Sequence, residues 1–181
     1  NTGVEFTGWH NGYPDAAGKI DLATFRKVPW DEDIPFFLAD FDVDGGSARE
    51  ICPRTLLKNV KKELEQNGYS ASFAQEYEWF NFKETSEDLH QSGFQKPNPM
   101  TKGMFGYSVV RASQEGDFFN DLFDLMDKFD VTIEGLHTET GPGVYEAAIL
   151  YKDVLEAADR SVLFKTAAKE IGHFHGVIPT F

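Results

Sequence analysis

Apolar residues recur at helical spacing in three stretches of this 181-residue chain. A recurrence every three to four residues places them on one face of a helix. The first predicted helix begins at Pro53 and ends at Asn67-Gly68. The second follows Gly116, and the third runs from an N-cap at Asp153 to about Phe174. The first has an apolar stripe formed by Leu56, Leu57, Val60 and Leu64. Aspartates between residues 117 and 130 are expected to form the solvated face of the second.

Strand patterns lie between these helices. Residues 70–82 are rich in aromatic side chains and follow Gly68, and residues 145–151 form a second strand candidate. A third candidate runs from Ile34 to Phe41, where Pro35 indicates a strand start or a sheet edge. Residues 84–103 are polar, contain two prolines and are expected to form a long loop.

Two glutamates share one face of the aromatic strand. Glu76 and Glu78 stand two residues apart, so they project together, while Tyr77 and Trp79 take the opposite face. Ionised carboxylates are costly if they are buried without partners. An exposed strand edge would carry them without any special role, so the pair alone leaves both interpretations open.

A second acidic segment runs from Glu134 to Glu146 around a Gly-Pro-Gly turn. Before the turn, Glu134 and Glu139 are expected on opposite strand faces, whereas His137 and Glu139 share one. A hairpin would bring Glu139 close to Glu146, and like charges held close repel one another unless a divalent cation lies between them. An acidic surface hairpin is the alternative.

Taken together, the two segments supply four carboxylates: Glu76, Glu78, Glu139 and Glu146. Carboxylate oxygens are the ligands that hard divalent cations prefer. Four of them suit two cations that bridge a polyphosphate, which is the arrangement used in phosphoryl transfer.

These segments resemble those of the glutamine synthetases. Gln75-Glu76-Tyr77-Glu78-Trp79-Phe80 resembles the E-x-E-F strand of that family, and the segment from Glu134 to Glu146 is similar to its second metal-binding stretch. Asp15, followed by residues 21–30, resembles the end of the amino-terminal β-grasp domain of the family, and Cys52-Pro53-Arg54 resembles the start of its first catalytic helix. The resemblance covers essentially the whole chain, in the family's order.

The resemblance implies an α+β fold in two parts. Residues 1–50 would be the end of a β-grasp domain, and residues 51–181 would be the amino-terminal part of the catalytic domain, an antiparallel sheet with flanking helices. It also implies a homo-oligomer of stacked rings, dodecamer-like, in which each active site is shared between subunits.

The activity implied by the resemblance is ATP-dependent amide formation. ATP phosphorylates the side chain of glutamate, and ammonia or an amine displaces phosphate from the acyl phosphate. The resemblance also implies a role for each site residue. Glu78, Glu139 and Glu146 would ligate one Mg²⁺ or Mn²⁺, and Glu76 would contribute to a second. Glu134 would contact the nucleotide, Tyr151 would lie near its base, and Asp15 would accept a proton from the ammonium in a neighbouring subunit.

Two departures from the family pattern limit this expectation. The sequence stops at Phe181, before the remaining metal ligands and nucleotide-binding arginines of the family, so these 181 residues alone are expected to be inactive. Met104 lies in a segment, Gly103 to Tyr107, where many members have Gly-Tyr-Phe near the ammonium pocket. A larger amine than ammonia therefore remains open as the acceptor.

Composition narrows the class further. The net charge of −13 argues against nucleic acid and anionic membranes as partners. One cysteine fits a reducing compartment, and we expect a cytoplasmic location. The chain contains no apolar run of about 18 residues, so no membrane span is expected.

Two further classes remain as alternatives. A non-catalytic relative could keep the fold for a structural role, although such a relative would be expected to have lost some of the four carboxylates. An acidic binding module, with these side chains as mere surface charge, is the third possibility.

Overall fold

The computed structural model describes residues 7–41 and 50–181. The chain forms two compact units, one built from residues 1–27 and 34–71 and the other from residues 28–33 and 72–181. Within the described ranges, no helix combines the length and the apolar character that crossing a membrane requires.

The first unit contains short strands and one long helix. Its elements are two 3-10 turns at Trp9–Asn11 and Leu22–Thr24, strands β1 (Lys19–Ile20), β2 (Arg26–Val28), β3 (Ile34–Phe36) and β4 (Ala39–Asp40), and helix α1 (Pro53–Gln66). Strand β1 pairs antiparallel with β4, and β2 is the neighbour of β3. The strand predicted from Ile34 to Phe41 is therefore two strands, interrupted at residues 37–38.

An ion network rather than an apolar stripe fixes helix α1. Arg54 Nη1 lies 2.8 Å from Asp21 Oδ2 and 3.0 Å from Asp40 Oδ2, and Lys58 Nζ lies 2.5 Å from the same Asp40 oxygen. The Arg54 hydrogen bond holds the pKa of Asp21 below its usual value, despite partial burial. Because Asp40 is buried, removing its cationic partners would leave a buried charge uncompensated, which is strongly destabilising.

The predicted apolar stripe of α1 is correct in position but wrong as a buried face. Leu56 and Val60 are exposed, and Leu57 and Leu64 are only half-buried. The side that the helix buries carries Thr55, next to the cationic residues of the network. The predicted ends are confirmed: Pro53 occupies the first turn, and Gly68 adopts a left-handed φ of 82° after the helix.

The second unit contains a four-stranded antiparallel sheet and the remaining helices. In chain order its elements are β5 (Ser72–Phe73), β6 (Glu76–Phe82), α2 (Ser86–Gln91), α3 (Val109–Gln114), α4 (Gly116–Lys128), β7 (Ile133–Thr138), β8 (Val144–Ile149), β9 (Lys152–Asp153), α5 (Val154–Phe174) and β10 (Ile178–Thr180). The main sheet has the order β10-β6-β8-β7. Strand β5 pairs antiparallel with β9 outside that sheet.

Helices α4 and α5 cover one face of this sheet. Phe119 on α4 meets Tyr145 of β8 with ring centroids 4.3 Å apart, and Phe164 on α5 meets Trp79 of β6 at 5.5 Å. Each fully buried side chain of this size contributes roughly 1.5–3 kcal/mol through the hydrophobic effect. All five aspartates of the α4 region are exposed, as predicted. Helix α5 begins after the predicted N-cap, since Asp153 accepts a hydrogen bond from Leu155 N.

The structure differs from the sequence prediction at four elements of the second unit. The predicted loop at 84–103 contains helix α2, which is started by a reciprocal capping interaction between Thr85 and Asp88. The predicted strand at 70–82 is split into β5 and β6, and the strand predicted to reach Tyr151 ends at Ile149. Helix α3 was not predicted at all.

The antiparallel sheet with flanking helices fits the predicted α+β class. The β-grasp identity of the amino-terminal residues and the domain boundary at residue 50 remain predictions. Residues 42–49, next to that boundary, lie outside the described part of the chain.

Candidate metal centre

The acidic residues lie on the sheet face opposite to the helices. Along β6, Trp79 and Asn81 are buried and Tyr77 is half-buried, whereas Glu76 and Glu78 are exposed. This alternation confirms the predicted faces of the strand. It also means that two carboxylates project together from the open side of the sheet.

Strand register places a row of ionisable side chains across three strands. Glu78 on β6 is directly opposite Glu146 on β8, and Glu146 is directly opposite His137 on β7. Side chains at such positions lie about 4.5–5.5 Å apart at their Cβ atoms. Glu146 is therefore the centre of the row, with a carboxylate on one side and an imidazole on the other. Glu76, two residues before Glu78 on the same face of β6, lies opposite Ala148.

The Gly-Pro-Gly turn fixes this register. Asn81 N on β6 donates to Gly143 O at 2.8 Å, which ties the turn to the neighbouring strand. Gly143 has a φ of 75°, and a Cβ there would lie 2.5 Å from Asn81 O. Only glycine satisfies both the left-handed conformation and this close approach. After the turn, β8 returns with Glu146 beside Glu78.

His137, Glu139 and Glu146 form a compact group. Each offers a ligand atom within 4.8 Å of the others, and His137 Nε2 lies 3.6 Å from Glu146 Oε2. The predicted proximity of Glu139 to Glu146 is therefore confirmed. An imidazole nitrogen and two carboxylates are suitable ligands for a divalent cation, with Glu78 available on the far side of Glu146.

The environment shifts the pKa values of two carboxylates in this group in opposite directions. Burial raises the pKa of Glu146, and the charges of Glu76, Glu78 and Glu139 raise it further, while His137 acts in the opposite direction. The pKa of Glu139 is instead lowered, first by the Thr140 backbone N–H and then by the phenol of Tyr107. A cation bound among these groups would relieve the repulsion at Glu146.

Two residues of this site were not assigned by the sequence prediction. His137 had been placed on the face of Glu139 but had no role, and its position two residues before Glu139 was the available signal. Tyr107 stacks on His137 with ring centroids 4.6 Å apart, and the nearby Glu139 carboxylate raises the pKa of its phenol. The sequence alone could not pair these residues, because 30 positions separate them.

The other predicted site residues lie outside this group. Glu134 is exposed at the start of β7, and the register shifts between Ile133 and Gly135, so a β-bulge rather than simple alternation sets its face. Tyr151 is exposed just after β8. Asp15 is exposed in an irregular segment of the first unit.

Comparison with known proteins identifies the family. Residues 50–181 match the family model described as glutamine synthetase, catalytic domain. The chain is 47% identical over 178 residues to type-1 glutamine synthetase 2 of Dictyostelium discoideum. It is 35% identical over 179 residues to the glutamate–isopropylamine ligase of a Pseudomonas species. These alignments cover 98% and 99% of the chain. The chain belongs to the glutamine synthetase family.

The fold agrees with this membership. A solved structure, the GmaS/ADP complex in conformation 1, superposes with a TM-score of 0.79 over 97% of this chain, at 21% identity. The chain spans only part of each relative: 34% of the Dictyostelium protein, 39% of the Pseudomonas ligase and 40% of the GmaS chain.

We expect Glu146→Gln to raise the melting temperature near pH 7 when divalent cations are removed. A carboxyl group whose folded pKa is raised contributes stability below its ordinary value of 4.5, and that contribution is lost as the pH rises through the folded pKa. The gain should therefore be present at neutral pH and absent near pH 3. Millimolar Mn²⁺ should reverse the order of the two proteins, because the variant has lost a ligand. Thermal unfolding with EDTA and with Mn²⁺ measures both effects.

Glu63→Gln is a matched control, since it makes the same charge change on an exposed side chain of α1. It should alter neither the cation-free melting temperature nor the response to Mn²⁺. Calorimetry on a Glu78→Gln, Glu146→Gln double variant completes the test. Unchanged Mn²⁺ binding by that protein would contradict the assignment of these carboxylates as ligands.

Proposed function

We propose that this chain supplies the cation-binding carboxylates of an ATP-dependent ligase that forms a γ-glutamyl amide from glutamate and ammonia or an amine. The reaction passes through an acyl phosphate on the glutamate side chain. The observation that carries the proposal is the cross-strand row of Glu78, Glu146 and His137, with Glu139 beside it. Family membership indicates the reaction class.

The proposed roles of the carboxylates rest on the family resemblance, and their places on the sheet support them. Glu78, Glu139 and Glu146 hold one Mg²⁺ or Mn²⁺. Glu76, two residues before Glu78 on β6, is one ligand of a second cation. Bound there, the cations supply positive charge that neutralises the transferring phosphoryl group. The residues act by fixing charge in advance of the reaction, so no reorganisation is needed at the moment of transfer.

Three further residues have proposed roles that rest on the family resemblance. Glu134 contacts the nucleotide, Tyr151 lies near its base, and Asp15 accepts a proton from the ammonium in a neighbouring subunit. The exposure of all three side chains leaves them available for these contacts. A homo-oligomer of stacked rings and a cytoplasmic location belong to the same proposal.

A larger amine is the second candidate acceptor. Met104 and Phe105 are exposed on the segment that carries Tyr107, so apolar surface adjoins the acidic group. Relatives at 35% and 30% identity are named as a glutamate–isopropylamine ligase and a γ-glutamylethanolamide synthetase. A non-catalytic relative is disfavoured, because all four predicted cation ligands are present.

Steady-state kinetics test the ligase proposal in an enzyme of full family length that carries this chain. We expect phosphate release from ATP that requires glutamate, a divalent cation and an amine together. A panel of ammonia, ethanolamine and isopropylamine at matched free-base concentration ranks the acceptors by kcat/KM. Phosphate release that is independent of glutamate, or absent with every amine, would contradict the proposal.

Asp15→Ala should lower turnover in the same enzyme by roughly 10²-fold or more, a typical loss for general acid–base groups, with little change in cation affinity. Mixing it with a Glu78→Gln chain should restore part of the activity, because some interfaces then combine an intact Asp15 with an intact Glu78. Co-assembled mixtures that stay inactive at every ratio would show that the site is not shared between subunits.

A further inference from the structure

Tyr107 has an unusual backbone conformation next to the acidic group. Its φ of 57° lies in the left-handed region, which residues other than glycine rarely adopt. Such a conformation persists only where the surrounding structure determines it, and it is a reason to look for a role of the residue concerned.

Thr138 determines this conformation. Its carbonyl accepts a 2.6 Å hydrogen bond from Tyr107 N. Its hydroxyl accepts from Ser108 N at 2.8 Å and donates to Phe105 O at 3.0 Å. Thr138 is buried, at 2% exposure, so these bonds are shielded from competing water. The 105–108 segment is thereby fixed to the end of β7, between His137 and Glu139.

The fixed backbone directs the Tyr107 side chain at two members of the cation site. The ring lies on His137 with an interplanar angle of 29°, and the nearby Glu139 carboxylate raises the pKa of the Tyr107 phenol. Glu139 Oε2 accepts from Thr140 N at 2.6 Å. The phenol is therefore a second donor within reach of this carboxylate, although the Tyr107 side chain is itself 73% exposed.

We propose that Tyr107 is a positioning residue of the cation site, and that the Thr138 hydroxyl holds it in place. The stacked ring restricts the orientation of His137, and in this proposal the phenol donates a hydrogen bond to Glu139 and so restricts the orientation of that carboxylate. Both side chains are then presented towards Glu146 before the cation arrives, which lowers the entropy cost of binding. This inference rests on the proposed cation site but adds residues that are not ligands.

Tyr107→Phe separates the hydrogen bond from the stacking, because phenylalanine retains the ring. We expect it to weaken Mn²⁺ binding about threefold to tenfold, the effect of losing one hydrogen bond to a charged group at an exposed site. Its melting temperature in EDTA should stay close to that of the wild type. Raised Mn²⁺ should restore full occupancy, which a misfolded site would not allow. Calorimetry in the full chain measures the affinity.

Thr138→Val tests the second half of the proposal, because it removes the hydroxyl and keeps the shape. It should weaken Mn²⁺ binding at least as much as Tyr107→Phe, and Thr138→Ser should restore most of the affinity. Tyr69→Phe is the matched control, since it removes a phenol from an exposed tyrosine of the first unit.

The outcomes separate the two proposals. Wild-type affinity in Tyr107→Phe would overturn the positioning role and leave the cation site intact. Equal losses in Thr138→Val and Thr138→Ser would overturn the role of the Thr138 hydroxyl. Absence of Mn²⁺ binding in the wild type would overturn the cation site and the positioning role together.

Discussion

The bond between Asn81 and Gly143 is the constraint on which the site depends. Asn81 is fully buried. Its side-chain oxygen accepts a hydrogen bond from the Trp79 indole N–H at 2.7 Å, and its side-chain nitrogen donates to Gly143 O at 3.3 Å. Its backbone N–H donates to the same carbonyl. The hairpin is therefore locked to β6 in one register. A slip of one residue would move Glu146 to the helix-covered face, because side chains alternate along a strand.

This register holds like charges together at a cost in stability. Partial burial raises the pKa of Glu146, and the charge of Glu78, which lies opposite it on the neighbouring strand, raises the pKa further. The helices on the other face provide the apolar packing that offsets such a cost. On the open face, His137 lowers the pKa of Glu146 and the Tyr107 phenol lowers that of Glu139. A cation bound among these groups would offset the repulsion between the carboxylates, and this would connect the fold with the proposed chemistry.

Much of the arrangement of the acidic side chains could be predicted from local sequence patterns. Alternation in β6 gave the shared face of Glu76 and Glu78, and the Gly-Pro-Gly turn gave the proximity of Glu139 and Glu146. The burial of α1 could not be predicted from its apolar stripe, because an ion network with Asp21 and Asp40 holds the helix instead. The role of Tyr107 depends on hydrogen bonds between the 105–108 segment and Thr138, about 30 positions away, and on a regular end of β7. Sequence spacing carries no information about such long-range hydrogen bonds.

Anomalous diffraction from crystals grown with Mn²⁺ tests the central claim most directly. The account predicts a manganese peak on the open face of the sheet, at about 2.0–2.3 Å from carboxylate oxygens of Glu139 and Glu146. The Tyr107 phenol should donate a hydrogen bond to Glu139 in that structure. A peak confined to the exposed aspartates of α4, or no ordered manganese on this face at saturating concentration, would contradict it.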